Sequence, residues 1–498
     1  MAEPVERPSN RPSGPWGRLK DLKSKRSGSD TWQVVAGSAV LGLVVATGAV
    51  LAAGPWDNGQ RKAERQLAAA TDRTGGAHHG RRLPGAPEPA PSAAAVLGAL
   101  DGSVTRSAPQ DPANPRTALA RLIGAPALGT VTAASVVDTA TGKQLYGHGA
   151  TAPMTPASTI KIATATAALS ALGPDHRIAT TARLSKDART LTLVGGGDPT
   201  LSGPALRSMA TAVAAALRES EENGEGDRTS VRLTYDTSRY TGPERHPIGP
   251  NDNIAPVTAL MVDEGRLDGT DRGHAPRTDD PAGDAARAFA AQLRKAGVKV
   301  TGKPREARPA AGARTVATHH SAPLSALVER TLTNSDNDLA EALARQTAIA
   351  AGERADFAGA RRAVTAELKK LKVPTTGAHL ADGSGLDRKD RVTAELLATL
   401  LDRAADPDRP ELRPVLTGLP VAGFSGTLST RYRDAPGATG LIRAKTGTLR
   451  GVNALAGTVV DPQGRLLAFA FLASGTLSAA EAEPALDALA AALAGPGG

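Results

Sequence analysis

The chain has no cysteine, and only 2% of its 498 residues are aromatic. Without thiols, disulfides, thiolate nucleophiles and cysteine-ligated zinc are all excluded, and the chain is indifferent to redox compartment. The shortage of rings leaves few platforms on which bases could stack, so nucleic acid is not expected as a partner. Acidic charge is in the minority: 50 Asp and Glu against 59 Lys and Arg give a formal net charge of +9. That balance permits an anionic polymer or a membrane surface as partner. The arginines are scattered, however, and read as a solvated basic surface rather than a binding stripe. Alanine, glycine and proline are abundant, so the core must be built from Ala, Leu, Val and Ile with closely approaching backbones. A chain of this length is expected to form two or three domains.

Long apolar runs are also scarce, with one exception. Residues 34–53, VVAGSAVLGLVVATGAVLAA, carry no charge and have the length of a bilayer-spanning helix. Arg18, Lys20, Lys23, Lys25 and Arg26 precede the run, and Trp32 and Trp56 bracket it as interfacial rings do. Arg61, Lys62 and Arg65 follow it, which weakens the charge asymmetry that sets orientation. We expect a cytoplasmic basic segment over 1–31 and a single transmembrane anchor over 32–54, with the remainder extracytoplasmic. Val50-Leu51-Ala52 resembles a weak cleavage site, and cleavage there would give a secreted protein. Residues 55–117 are Pro/Ala-rich and lack hydrophobic period, and read as a linker or stalk.

Structure is expected from residue 118 onward. The patterning predicts strands at 130–138 and 144–146, and a helix from Pro156. Further helices are predicted over 204–219, 283–296, 338–351 and 391–403. A hairpin is predicted from 452–460 and 465–473, and a last helix broken early by Pro484. Strands at both ends with helices between them indicate an α+β domain whose sheet joins the N- and C-terminal segments.

Three short strings carry the chemistry: Ser158-Thr159-Ile160-Lys161, Ser335-Asp336-Asn337 and Lys445-Thr446-Gly447. A serine hydroxyl needs a base, and Lys161, one helical turn on, can serve if its pKa is pulled down by burial or by a second cation such as Lys445. Ser335 can relay a proton to a leaving amine, and Asn337 can hydrogen-bond a substrate amide. The same Ser-Asp-Asn string is also a good helix N-cap, and both roles can hold at once. Lys445 and Thr446 can hold a terminal carboxylate, with Gly447 letting a substrate backbone lie along the strand. The N–H groups of Ser158 and Thr448 can form an oxyanion hole. Together they form an acyl-transfer set that uses neither histidine nor metal. His78-His79 and His319-His320 lack a third ligand at metal spacing, so no metal or cofactor is expected.

The three strings in this order match penicillin-binding proteins and class A β-lactamases. With Gly195-Gly196-Gly197-Asp198-Pro199-Thr200-Leu201, Ala255-Pro256-Val257-Thr258-Ala259-Leu260, Asp382-Gly383-Ser384-Gly385-Leu386 and Leu419-Pro420-Val421-Ala422-Gly423, the chain resembles the D-alanyl-D-alanine carboxypeptidase/endopeptidase family, the class C low-molecular-mass penicillin-binding proteins. The resemblance implies a serine β-lactamase/transpeptidase-like domain, an antiparallel sheet with flanking helices, over 118–180 and 316–498. An accessory domain inserted at 181–315 is implied as well. It implies cleavage of peptidoglycan stem peptides ending in D-Ala-D-Ala through an acyl-enzyme on Ser158, and covalent inhibition by β-lactams. By the same resemblance Lys161 is the base, and Ser335, Asn337, Lys445 and Thr446 relay protons and hold substrate. Ser384, Gly385 and Arg388 would form the pocket for the stem's diamino-acid side chain, and Asp252 would bind its ammonium group. Asp387 and Asp390, flanking Arg388 and Lys389, depart from the family's usual sequence there and add negative charge near that pocket.

Overall fold

The computed structural model describes residues 115–222 and 230–495. The expected basic segment, the membrane anchor and nearly all of the linker lie outside the described residues. Among the described residues no helix is long and apolar enough to cross a membrane.

The chain enters through α1 (Pro115–Leu122), already within the expected linker, and then forms the hairpin β1 (Val131–Asp138) and β2 (Lys143–His148). A 3-10 turn, Ala157–Ile160, leads into α2 (Lys161–Leu172). There follow β3 (Ala179–Leu184), β4 (Thr190–Val194), α3 (Gly203–Glu222), β5 (Ser230–Asp236), α4 (Pro281–Lys295), β6 (Lys299–Glu306) and β7 (Arg314–His320). Then come α5 (Leu324–Asn334), α6 (Asn337–Ala350), α7 (Phe357–Lys370), α8 (Ala394–Ala405) and the short α9 (Pro414–Thr417). The strands β8 (Ile442–Leu449), β9 (Val452–Val460) and β10 (Leu466–Ser474) and the helix α10 (Ala479–Ala494) complete the described chain.

The first sheet has strand order β2-β1-β10-β9-β8 and is antiparallel throughout, so the N-terminal hairpin and the C-terminal strands meet in it as expected. Both of its faces are buried, which is why β10 reads as the nearly unbroken apolar string LLAFAFLAS. Side chains alternate across the strand. Ala468, Ala470 and Leu472 face the core built around α2 and α8, while Leu467, Phe469 and Phe471 face the core shared with α1 and α10. Small residues on the first face let α8 pack closely on β1 and β10, and α2 lies among the helices α5, α6, α7 and α8, with every residue from Lys161 to Leu169 buried. This burial forces Lys161 into the interior.

The second sheet has the order β6-β5-β4-β3-β7. It is mixed: β4–β5 and β5–β6 are parallel and the other pairs antiparallel. The helices α3 and α4 cover it through Leu206, Val213, Phe289 and Leu293. This sheet draws on residues 179–320; β3, inside the sheet, begins before 181, and the edge strand β7 ends beyond 315, so the expected limits of 181 and 315 fall within these two strands. The helix expected from Pro156 is present, with Ser158 in a 3-10 first turn, Ala157–Ile160, that continues directly into α2. Two other expectations are corrected. The last helix runs through Pro484, because a proline this close to a helix start removes only one intrahelical hydrogen bond. Four further helices, α1, α5, α7 and the short α9, stand where none was predicted.

Candidate active site

Ser158 sits on the turn that precedes α2, and Ala157 before it adopts φ +48, a left-handed conformation that non-glycine residues rarely take. Such strain is held only where the surroundings fix it, and here β8 does so. A Cβ on Gly447 would lie 2.6 Å from the Pro156 carbonyl and 3.2 Å from the Ser158 nitrogen. Gly447 therefore lets β8 close on the Ser158 turn, where the sequence suggested that it makes room for substrate. This approach brings Ser158 and Thr448, the two expected oxyanion N–H donors, to one cleft of ≈ 290 Å³. Ser335, Asn337 and Thr446 line the same cleft.

Lys161 is fully buried at the start of α2. Its Nζ reaches three oxygen atoms: Ser158 Oγ at 3.0 Å, Asn337 Oδ1 at 2.7 Å and the Ser384 carbonyl at 2.5 Å. The Asn337 side chain cannot present its amino group instead, because Nδ2 donates to the Asn253 carbonyl at 3.0 Å. A neutral amine has two N–H bonds and one lone pair. Asn337 Oδ1 and the Ser384 carbonyl can only accept, so they take both protons and leave the lone pair directed at the Ser158 hydroxyl. Burial pulls the Lys161 pKa down to about 8, against the opposing charges of Asp382, Asp336 and Glu341. The geometry and the pKa both suit a general base.

Lys445 is also fully buried, and its Nζ donates to the Thr446 carbonyl at 2.8 Å. Burial, with the Lys161 charge nearby, holds it well below the ordinary lysine range. Thr446 Oγ1 lies 2.9 Å from Thr427 Oγ1. β8 is the sheet edge, with Pro420 and Ala422 hydrogen-bonded to its first half through Ala444 and Ile442. Ser335 caps α5 in the left-handed region at φ 59, and Asp336 caps α6 by accepting from the Leu339 N–H. The capping role and the placement of Ser335 and Asn337 in the cleft thus coexist.

The remaining expected site residues stand elsewhere. Ser384 is fully buried and contributes its carbonyl to Lys161, not its side chain to the cleft. Gly385, at φ +87, packs against the Ala157 carbonyl, which an added Cβ would meet at 2.1 Å. Arg388 points outward and donates to the Arg450 carbonyl at 3.0 Å. Asp252 is exposed and outside the cleft lining, while its neighbour Asn253 is part of it. The structure thus brings the three motifs together but does not place Ser384, Gly385, Arg388 or Asp252 in the cleft. Arg266, Arg272, His274 and Arg277 also line the cleft, from a loop that nothing in the sequence singled out. Arg266 pairs with Glu264 at 2.8 Å and Arg277 with Asp338 at 3.0 Å.

Two groups of buried side chains have metal-like proximity among the described residues: His246, Glu341 and Asp382, and Glu264, Asp336 and Asp338. In the first, Asp382 and Glu341 are taken by backbone N–H groups and by His246 and Arg345. In the second, arginines 266, 277 and 330 pair with the carboxylates. Neither leaves a set of free ligand atoms for an ion.

The sequence profile of the D-Ala-D-Ala carboxypeptidase 3 (S13) family matches residues 116–271 and 267–495. Carboxypeptidase DacB of Mycolicibacterium smegmatis is 40% identical over 389 residues, covering 76% of this chain and 83% of that protein. A D-alanyl-D-alanine carboxypeptidase of an Actinomadura species is 32% identical over 435 residues, covering 70% of this chain and 79% of its own. Among solved structures, penicillin-binding protein 4 (dacB) of Haemophilus influenzae superposes with a TM-score of 0.63 at 22% identity, over 76% of this chain and 98% of the other. That similarity shows the penicillin-binding, β-lactamase-like fold. With the three motifs gathered at one cleft and the profile matching nearly all of the described chain, the protein belongs to the S13 family of D-Ala-D-Ala carboxypeptidases.

Proposed function

We infer that this protein is a serine-type D-Ala-D-Ala carboxypeptidase that trims peptidoglycan stem peptides through an acyl-enzyme on Ser158. The observation that carries the reading is the Lys161 amine, 3.0 Å from Ser158 Oγ with both of its other positions taken by acceptors. Ser158 Oγ attacks the carbonyl of the D-Ala–D-Ala bond while Lys161 Nζ takes its proton. The N–H groups of Ser158 and Thr448 hold the developing oxyanion. Thr446, beside Lys445, receives the terminal carboxylate, and Ser335 passes a proton to the leaving amine. Terminal D-Ala departs, and water hydrolyses the ester to regenerate the serine. β-Lactams enter the same cleft, acylate Ser158 and deacylate slowly.

Cleavage of cross-links by the same chemistry is a second reading, favoured by the position of β8 at the sheet edge, where a longer leaving strand can continue past Thr446. We read 181–315 as an accessory insertion in a catalytic domain made of 118–180 and 316–498, held outside the cytoplasmic membrane by the transmembrane anchor over 32–54. The activity is tested by following D-Ala release from a synthetic stem pentapeptide ending in D-Ala-D-Ala, beside a control ending in D-Ala-L-Ala. Release from the first alone supports the reading. Release from neither, by protein that is folded, contradicts it.

A further inference from the structure

His246 lies between β5 and α4, far in sequence from every catalytic string, yet it is buried behind them. Its Nε2 is 2.8 Å from Asp382 Oδ2, while its Nδ1 accepts from the Ile248 N–H at 3.3 Å, which assigns the ring proton to Nε2. The ring also packs edge-on to Phe357. Asp382 is the hub of the loop that carries Ser384. It accepts from the N–H groups of Ser384, Gly385 and Asp387 and from Ser384 Oγ, in addition to His246. Glu341 Oε1 accepts from the Gly383 and Ser384 N–H groups and is itself held by Arg345. The product of this network is the direction of one carbonyl, that of Ser384, which takes a proton of Lys161 Nζ.

We propose that His246 is a positioning residue for acylation: by holding Asp382 it fixes the Ser384 carbonyl, and through it the Lys161 lone pair on Ser158. This rests on the reading of Ser158 and Lys161 as nucleophile and base. His246 touches neither substrate nor the reacting atoms, and it is not part of the cleft lining. It faces Asp382, Glu341 and Asp387, and Lys161 faces Asp382, Asp336, Glu341 and Asp390, with the Lys445 charge nearby. Removing the donor on Nε2 leaves the Asp382 charge less shared. That charge favours protonated Lys161, so the loss acts on both the geometry and the titration of the base.

The test compares His246→Gln, whose amide nitrogen replaces Nε2, with His246→Asn, which reaches only the Nδ1 side. Both are buried polar residues of similar size. Acylation by a fluorescent penicillin is followed at single turnover from pH 6 to 10, and active-site titration corrects each rate for the fraction of competent protein. The glutamine variant is expected within about threefold of the wild type. The asparagine variant is expected to have its acid limb displaced upward by about one pH unit, and so to acylate about tenfold more slowly near pH 7. Equal rates and an unmoved limb in both variants would overturn the proposal. So would the loss of all competent protein in both, which would make His246 a residue required for folding. Wild-type protein that is not acylated in the same assay would instead refute the underlying reading of the site.

Discussion

The burial of Lys161 has a kinetic consequence that pH alone exposes. With its pKa near 8, roughly one molecule in eleven carries a neutral Lys161 at pH 7, against about one in three thousand at the ordinary value of 10.5. Burial thus raises the population of competent base about 300-fold. Acylation by penicillin should rise tenfold per pH unit below the limb, bend near pH 8 and level off above it. Stopped-flow fluorescence with a labelled penicillin reads this directly. A thermodynamic counterpart follows. The folded-state pKa of this base lies below its unfolded value, so between about pH 8 and 10.5 the unfolded chain binds more protons and stability rises with pH. Below pH 8 the full penalty of about 3 kcal/mol applies, and Lys445 adds to it in the same direction. A rate that is flat from pH 6 to 10, or a limb at 10 or above, would refute the assignment of Lys161 as a buried, depressed base.

Three substitutions probe the surrounding geometry. Asn337→Ala removes the acceptor that occupies one Lys161 proton, and should slow acylation about 30- to 150-fold at pH 7, the equivalent of about 2–3 kcal/mol, measured at single turnover. Gly447→Ala places a Cβ 2.6 Å from the Pro156 carbonyl, so β8 must move off the Ser158 turn. Acylation should fall by at least about tenfold through the oxyanion hole, and wild-type kinetics would contradict that placement. Asp390 is buried beside Asp382 and pushed up to about 10, so it is protonated at neutral pH. A raised acid costs stability above its unfolded pKa. Asp390→Asn should therefore keep the acylation rate and leave the melting temperature unchanged or higher, and a clear loss of stability would show that the carboxyl is ionised.

The three motifs were legible because acyl transfer needs particular atoms in a particular order, and Ser158, Lys161, Ser335, Asn337, Lys445 and Thr446 meet as their spacing suggests. The sheet that joins the chain ends was legible too, since β9 and β10 form a short hairpin of unmistakable apolar character. The helix α5 could have been found: Leu324, Leu327, Val328 and Leu332 recur at helical spacing. The rest depended on long-range pairing. Nothing local in β4, β5 and β6 shows that they run parallel to one another. The positions of Ser384, Gly385 and Arg388 turn on how one loop folds around Asp382, which is also bonded to a histidine more than a hundred residues earlier. The cleft's basic lining likewise comes from a loop whose sequence, rich in Asp, Arg and Gly, reads only as exposed.

Intact-mass spectrometry after incubation with penicillin, on wild-type protein and on Ser158→Ala, tests the central claim most directly. A stable adduct of one penicillin on the wild type, absent from the variant, is the predicted result. An adduct that persists in Ser158→Ala, or no adduct on folded wild-type protein with the penicillin left intact, would contradict it.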